Sequence, residues 1–403
     1  MPTVAFDPFD AQTQENPYPV YARLRDEEPL HHFEREDLWV LSRYSDIRKA
    51  LTTPDLFSST KGTGFDQDDA LGTVIDSDPP LHTKLRAPLV QVFQPRHVAA
   101  LQPKIKEISD DLLEPLRERE QIELVEDFAA PLATTIIALL LGLDPADWRQ
   151  FRTWSHTLNS LSWDEDPAAR RGPQFFGLIT ELSEYLLEVA RASRDAPEGE
   201  DTLLSRLWNV DTDGEPLSDQ TIGLYGSLLL LAGNITTTSA ITNAMLTMIE
   251  FPDVRDRLRR EPELLGTAIE EFLRLESPVQ GFARSTTREI ELHGITLPEG
   301  AQVQLLFGAA NRDETVFDDA GVPTIERKPN PHMAFGAGPH FCLGAALSRL
   351  EMRIALDLLL AEMDDFALVP EDPIVRSRHP ATRDVDKAPM RIEWAQRRTN
   401  RGM

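Results

Sequence analysis

Apolar and polar positions along the chain alternate mainly with helical spacing, and 30 prolines cut that pattern into segments. A short helix is predicted over 17–25, closed by Asp26 to Pro29. A short strand is predicted over 38–42, where Trp39 and Val40 suit a pleated surface. The stretch from Phe57 to Asp78 is rich in Gly, Asp, Ser and Thr and reads as a loop too long for a mere connection. Helices are predicted from about His82 and over 101–118, 131–142 and 174–193, with a surface turn from Ala196 to Asp201. The longest helical pattern starts after Ser218, a suitable N-cap, and stops before Pro252. Roughly 32 residues at a rise of about 1.5 Å span about 48 Å, so so apolar a helix must run through the core. Its middle, Ala232 to Thr238, is polar. Such side chains either bond back to their own carbonyls and bend the helix or mark a distortion that opens a ligand pocket. A helix over 262–275 follows, then a strand-rich stretch from Phe282 to Val303 and irregular chain from Asn311 to Pro331. The last helix is predicted over 343–363, with Leu343, Leu347, Leu350, Ile354 and Leu358 as its apolar stripe.

With 403 residues, 41% of them hydrophobic, the chain can bury a large core. Length alone fits two or three domains, but no internal repeat or low-complexity linker divides the pattern. The formal net charge of -26 makes nucleic acid and anionic membranes poor partners, because like charge repels phosphate. The N-terminus, Met1 to Asp10, lacks a basic and an apolar region, and the aliphatic run Leu228–Ala232 is too short to span a bilayer. The expected location is cytoplasmic. A single cysteine, Cys342, excludes an intramolecular disulfide and any multi-cysteine zinc or iron–sulfur site.

That cysteine lies in Phe335-Gly336-Ala337-Gly338-Pro339-His340-Phe341-Cys342-Leu343-Gly344, just before the last predicted helix. A thiolate there would gain from free backbone N–H groups and the helix dipole. The glycines would let the backbone approach a large flat group. Three other readings remain open on the residues alone. A lone buried cysteine is usually inert packing. Gly336 and Gly338 suggest a dinucleotide loop, although its third glycine would fall at Phe341. Cys342 beside His340 suggests a hydrolase nucleophile.

The ten-residue segment resembles the cysteine-loop signature of the cytochrome P-450 family, Phe-Gly-x-Gly-x-His-x-Cys-x-Gly, at every fixed position. Other matches follow in the family's order over nearly the whole chain. Glu271-Phe272-Leu273-Arg274 resembles its Glu-x-x-Arg helix, and Asn16 to Tyr21 resembles the opening of bacterial members. The resemblance implies a mainly α fold with small β-sheets, a single domain over 1–403, and haem b between the long helix and the cysteine loop. It implies Cys342 as the axial iron ligand, with Phe335 and Gly336 lining the haem. His82, Arg86, Arg284 and His340 would hold the haem propionates; His82 and Arg86 share one helix face at i and i+4. Ala232 and Gly233 would form the oxygen groove, with Thr236 and Asn234 as catalytic candidates and Thr236 at the oxygen-activating position. Substrate specificity would lie in Phe57–Asp78, near Val279–Phe282 and along Leu229–Thr236.

Two departures from the family pattern stand out. The groove acid is Ile235, which cannot relay a proton. The arginine that would complete an ion pair with Glu271 and Arg274 is Val322, leaving Arg327 or Arg312 to replace it. The implied reaction is insertion of one O2 oxygen into a C–H bond, or epoxidation, of a lipophilic small molecule such as a polyketide, macrolide or terpene. Electrons would come from a separate ferredoxin and ferredoxin reductase, received on a face carrying Arg86, Arg96, Arg349 and Arg353. The alternatives are a peroxide-using, rearranging or coupling enzyme on the same fold, and a haem sensor.

Overall fold

A computed structural model of the chain describes residues 4–65, 70–162, 164, 166, 170, 172–194, 202–212 and 215–396. The expected turn over 196–201 lies outside these residues, as do positions 66–69 of the expected long loop.

The larger of two apolar cores surrounds the helix Asp219–Glu250. Ser218 caps it, its Oγ accepting from the Thr221 N–H at 3.1 Å. The polar middle does not break it. Thr236, Thr238 and Ser239 each donate to the carbonyl four residues back, at 2.8–3.0 Å, and Thr242 and Thr247 do the same further on. Of the two outcomes expected for this segment, back-bonding is the one observed. The helix packs against Ala130–Leu141 and Pro173–Ala192. Gly233 permits the first contact: a Cβ there would lie 2.6 Å from the Ile137 side chain. Among the described residues it is the one helix long and apolar enough to cross a membrane, yet 56% of its most apolar window is buried within the structure.

Other predicted helices appear close to their expected bounds: Tyr18–Glu27, Leu81–Val90, Gln102–Leu113 and Leu265–Leu275. Trp148–Ser162 and Pro252–Arg260 were not foreseen. The first reads as polar, and it buries only Phe151, Trp154, Ser155 and Leu158. The last helix, Ala345–Glu362, buries a different face from the predicted one. Leu347 is buried, but Leu343, Leu350, Ile354 and Leu358 are only half-buried, while Met352, Ala355, Leu356 and Leu359 are enclosed. The helix lies among the long helix and the helices Gln102–Leu113 and Leu265–Leu275, so no single stripe marks its inner side.

The second core lies against a five-stranded sheet in the order Leu30–Phe33, Leu38–Leu41, Gln302–Leu306, Gly281–Thr286, Phe57–Ser58. The expected strand 38–42 pairs in parallel with Gln302–Leu306, Val303 opposite Trp39. A three-stranded sheet of Met363–Leu368, Pro389–Trp394 and Gln121–Glu123 was not foreseen.

The two cores meet near a fully buried ion network. Arg274 donates from Nε and Nη2 to the Glu271 carboxylate, both at 2.8 Å, and from Nη1 to the carbonyls of Asn311 and Ala320. Arg327 completes it, its Nε 3.2 Å from Glu271 Oε2, and Asn330 adds a third donor. Arg312 instead pairs with Glu276. Of the two arginines expected to replace the missing one, Arg327 does so. Arg274→Met would leave Glu271 buried and short of its main partner. The expected loss is about 3–5 kcal/mol, read from the urea midpoint of unfolding. Arg327→Met, at the rim of the network, should cost clearly less; equal losses would mean that the buried pair is not the anchor.

Candidate functional site

The cysteine loop is shaped by backbone conformation before any chemistry. Gly336 and Gly338 both have φ of +68°, a region that costs side-chain-bearing residues. A Cβ on Gly338 would also lie 2.2 Å from the Leu51 carbonyl oxygen, so only glycine fits there. The Cys342 N–H closes the loop on the Phe335 carbonyl at 2.9 Å. Cys342 is exposed, although protein atoms crowd it on most sides, as on the floor of a hollow. Desolvation pushes its thiol up, while the Gly344 and Ala345 N–H groups and the charges of Arg86 and Arg349 pull it down. The donors expected from sequence are present, but in the protein alone desolvation outweighs them. A bound cation reverses that balance, because a coordinated thiol is deprotonated.

Across from the loop, the long helix opens where it should be most enclosed. Ala232 is exposed and Thr236 partly so, in a helix whose flanking turns are buried. The helix is tied to the cysteine-loop helix by Thr237 and Ser348, with Oγ1 and Oγ 3.5 Å apart. Cys342 and Ala232 are thus both open to a ligand. Gly233 is accounted for by its packing on Ile137 rather than by this opening.

One edge of the site is cationic and lacks its counter-charge. Arg284 is 4% exposed, and among the described residues its guanidinium donates only to the neighbouring Ala283 carbonyl, at 2.7 Å. Burial pulls it down to about 10, with Asp78 and Asp76 opposing from a distance. The His82 and His340 rings stand 4.3 Å apart, and His82 Nε2 is buried without a partner. Desolvation lowers both imidazoles, His340 to about 3, and Arg284 and Arg86 add to the effect on each. His340 Nε2 lies 3.3 Å from Ser59 Oγ, and Arg86 donates to the Phe341 carbonyl. Four cationic or donor side chains thus converge on one edge. Among the described residues no carboxylate forms an ion pair with Arg284. Two carboxylates arriving there would satisfy it.

Asn234 does not join Thr236 at the opening. Its Oδ1 accepts from Thr134 Oγ1 at 2.8 Å on the neighbouring helix, and its side chain is 2% exposed. Of the four arginines expected on the cysteine-loop face, Arg96 and Arg353 are exposed. Arg349 is committed to Glu270 by two bonds of 2.7 Å, and Arg86 to Phe341. Val279 bridges Thr382, bringing one expected specificity segment to the C-terminal turn. Sequence reasoning missed Glu351, nine positions beyond Cys342. It is 2% exposed, its Oε2 has no partner, and burial pushes its carboxyl far up. A carboxylate on the inner face of an apolar helix was the available signal.

A lone cysteine in a glycine loop, an open stretch of buried helix and a carboxylate-seeking edge define the haem-thiolate class of protein. The comparisons agree. The cytochrome P450 family model matches residues 11–379. The chain is 36% identical over 365 residues to the putative cytochrome P450 YjiB of Bacillus subtilis (strain 168), covering 90% of this chain and 91% of that one. It is 35% identical over 399 residues to the vitamin D(3) 25-hydroxylase of Pseudonocardia autotrophica, covering 96% of each. The crystal structure of CYP109E1 from Bacillus megaterium in complex with testosterone matches with a TM-score of 0.86 and 32% identity, covering 94% of this chain and 98% of that one. The chain belongs to the cytochrome P450 family. It is a haem b-dependent monooxygenase that uses O2 and a small-molecule substrate.

Two outcomes test the site. Reduced protein under carbon monoxide should show the red-shifted Soret band of thiolate ligation, and Cys342→Ser should abolish it. Charge-assisted bonds are worth about 1.5–3 kcal/mol, so Arg284→Leu should speed haem transfer to an apo-acceptor about 10- to 100-fold. An unchanged transfer rate would remove Arg284 from the haem edge.

Proposed function

We propose that this chain hydroxylates or epoxidises a lipophilic small molecule, with Cys342 as the iron ligand and Ala232 to Thr236 as the oxygen-facing wall. The observation that carries the reading is the buried, unmatched cationic edge beside an exposed cysteine. A dicarboxylate macrocycle with a metal centre accounts for both. Phe335, Gly336, Ala232 and Gly233 would flank its faces, and His82, Arg86, Arg284 and His340 its propionates. Bound there, haem b supplies the redox iron at which O2 is activated.

The overall reaction, R–H + O2 + 2e⁻ + 2H⁺ → R–OH + H2O, needs protons at a site that must otherwise exclude water. Thr236 holds a proton at Oγ1 and parks it on the Ala232 carbonyl. Released from that carbonyl by one rotation, the hydroxyl would be free to pass a proton into the ligand space. Cys342 would hold the iron through its thiolate. The catalytic unit is one domain over 1–403, and the cell compartment is the cytoplasm. Electrons come from a separate ferredoxin and its reductase, for which Arg96 and Arg353 offer exposed charge on the cysteine-loop face. Relatives that are named for vitamin D(3) or were crystallised with testosterone support a bulky alicyclic substrate. A polyketide, macrolide or terpene of a secondary pathway has the same bulk. Ile235 at the acid position favours one second reading, an enzyme driven by peroxide, which brings its own protons.

Titrating the holoprotein with testosterone, vitamin D3, a macrolide and a sesquiterpene should shift the Soret band for at least one of them. With that compound, Thr236→Ala should lower product per NAD(P)H about tenfold or more and raise peroxide, while Ile235→Ala should leave coupling nearly unchanged. No shift across the panel removes the lipophilic-substrate reading, and full coupling in Thr236→Ala moves the peroxide reading ahead.

A further inference from the structure

One position round the long helix from Thr236, Ile235 and Ser239 face a small cavity of about 20 Å³. Its wall includes Asn234 from the same helix, His156 from Trp148–Ser162, and Asp384 and Asp386 from the strand Val385–Lys387 and the residue before it. A space of that size has room for one water where polar groups offer it partners. The Asn234 amide Nδ2 at its edge is buried without a protein partner. Arg152 and His156 line this cavity and also an open surface pocket of about 370 Å³. The two spaces share these walls, so a route from solvent to the flank of the helix would pass Arg152 and His156.

Asp384 stands at the inner end of that route, 7% exposed. Its Oδ1 accepts from Ser239 Oγ at 2.7 Å, and its Oδ2 from Thr382 Oγ1 at 2.6 Å and Asn159 Nδ2 at 3.3 Å. Ser239 Oγ is also 2.9 Å from the Ile235 carbonyl. The same atoms therefore serve both protonation states. With the carboxylate, Ser239 donates to Asp384. With the carboxylic acid, Asp384 donates to Ser239 Oγ, and Ser239 donates to the Ile235 carbonyl. Only a hydroxyl rotation separates the two. Burial pushes the Asp384 carboxyl up to about 6, against the pull of Thr382 and Ser239, so both forms are populated near neutral pH.

The surroundings on the solvent side are also arranged for exchange. His156 Nε2 lies 3.0 Å from Asp386 Oδ1, and its side chain is 54% exposed. Hydrogen bonding to Asp386 raises this imidazole above its ordinary value despite desolvation. Asp386 and His156 are the charged groups that act on Asp384, and Arg152, on the same helix as His156, also lines the cavity.

We propose that Asp384 replaces the absent groove acid as the last protonatable group supplying Thr236, refilled from solvent past His156 and Asp386. The proposal rests on the reading of Ala232 to Thr236 as the oxygen-facing wall. Each proton leaves an Asp384 oxygen through Ser239 and the water bound by Asn234. The carboxylate left behind takes its next proton from the His156–Asp386 pair, which recovers one from bulk water. The two protons of the monooxygenase equation enter in this way, and no oxidant or reductant beyond those in that equation is needed.

Asp384→Asn keeps the shape and ends the titration. In the resting holoenzyme, infrared difference spectra between acid and alkaline pH should show a carboxylic-acid C=O band that titrates near pH 6 and is missing in Asp384→Asn. The raised value also fixes a stability sign. The wild type loses stability as pH rises from the ordinary aspartate value through about 6, because the buried group must ionise. The melting temperature of Asp384→Asn relative to wild type should therefore climb over that interval. With electrons from a surrogate ferredoxin system and testosterone as the probe, peroxide released per NAD(P)H should rise in Asp384→Asn, and the double variant Ile235→Asp with Asp384→Asn should recover the wild-type ratio. Absence of the titrating band, or of the climb in relative melting temperature, overturns the proposal. So does a wild-type peroxide ratio in Asp384→Asn when Thr236→Ala raises it. If Thr236→Ala leaves that ratio unchanged, the oxygen-wall reading fails instead, and the infrared band still shows whether Asp384 titrates.

Discussion

The long helix Asp219–Glu250 must satisfy two opposed demands. It is the centre of the larger core, so each polar atom it buries needs a partner. It also carries a run of polar side chains at its midpoint, beside the exposed Ala232. Back-bonding by Thr236 and Thr238 answers both at once. At rest each hydroxyl is satisfied internally, so the helix remains continuous. Each is also released by a single rotation, without unfolding a turn. The remaining architecture follows from keeping this helix in place. Gly233 seats it on Ile137, Thr237 meets Ser348 of the cysteine-loop helix, and the Glu271–Arg274 network holds together the segments leading into that loop.

Charge is handled in contrasting ways within a chain of net charge -26. Around Glu271 every cation has its anion, and the network is closed. Around Arg284 the cations are gathered and left open. Closing that edge within the protein would have been simple in so acidic a chain. Its openness is stable only because the neighbouring groups avoid carrying charge: desolvation keeps His82 and His340 below their ordinary values. The edge thus tolerates the absence of its ligand at neutral pH and gains from the ligand's arrival.

Much of this was legible in the sequence where chemistry and chain order coincide. The decapeptide around Cys342 and the spacing of His82 with Arg86 are local, and their neighbours are set by helix and turn geometry. The long helix was legible because length, cap and stop signals agreed. What was not legible depends on contacts distant in sequence. Trp148–Ser162 looks like surface because its outer face carries most of its residues. The inner face of Ala345–Glu362 could not be read from one stripe, since neighbours cover several sides. The partner of Glu271 could be narrowed to two arginines and no further, because Arg327 reaches it through an irregular stretch that no periodicity describes. Asp384 gave no signal at all. Its role depends on Ser239, 145 positions away.

Placing an acid on a separate strand rather than in the helix changes what controls it. A carboxylate at position 235 would be held by the helix backbone, its ionisation set mainly by access to solvent. Asp384 is held instead by Ser239 of the helix and Thr382 of the C-terminal turn. Thr382 in turn bridges Val279, beside the strand Gly281–Thr286 that carries Arg284. The Thr382 hydrogen bond and its bridge to Val279 therefore link one buried carboxyl to the segment leading into that strand. Removing either donor would raise the cost of ionising it, since these bonds are what pull its carboxyl down against burial. A ligand that displaced the turn at Thr382 would act in the same direction, holding the proton on Asp384, and one that tightened the turn would release it.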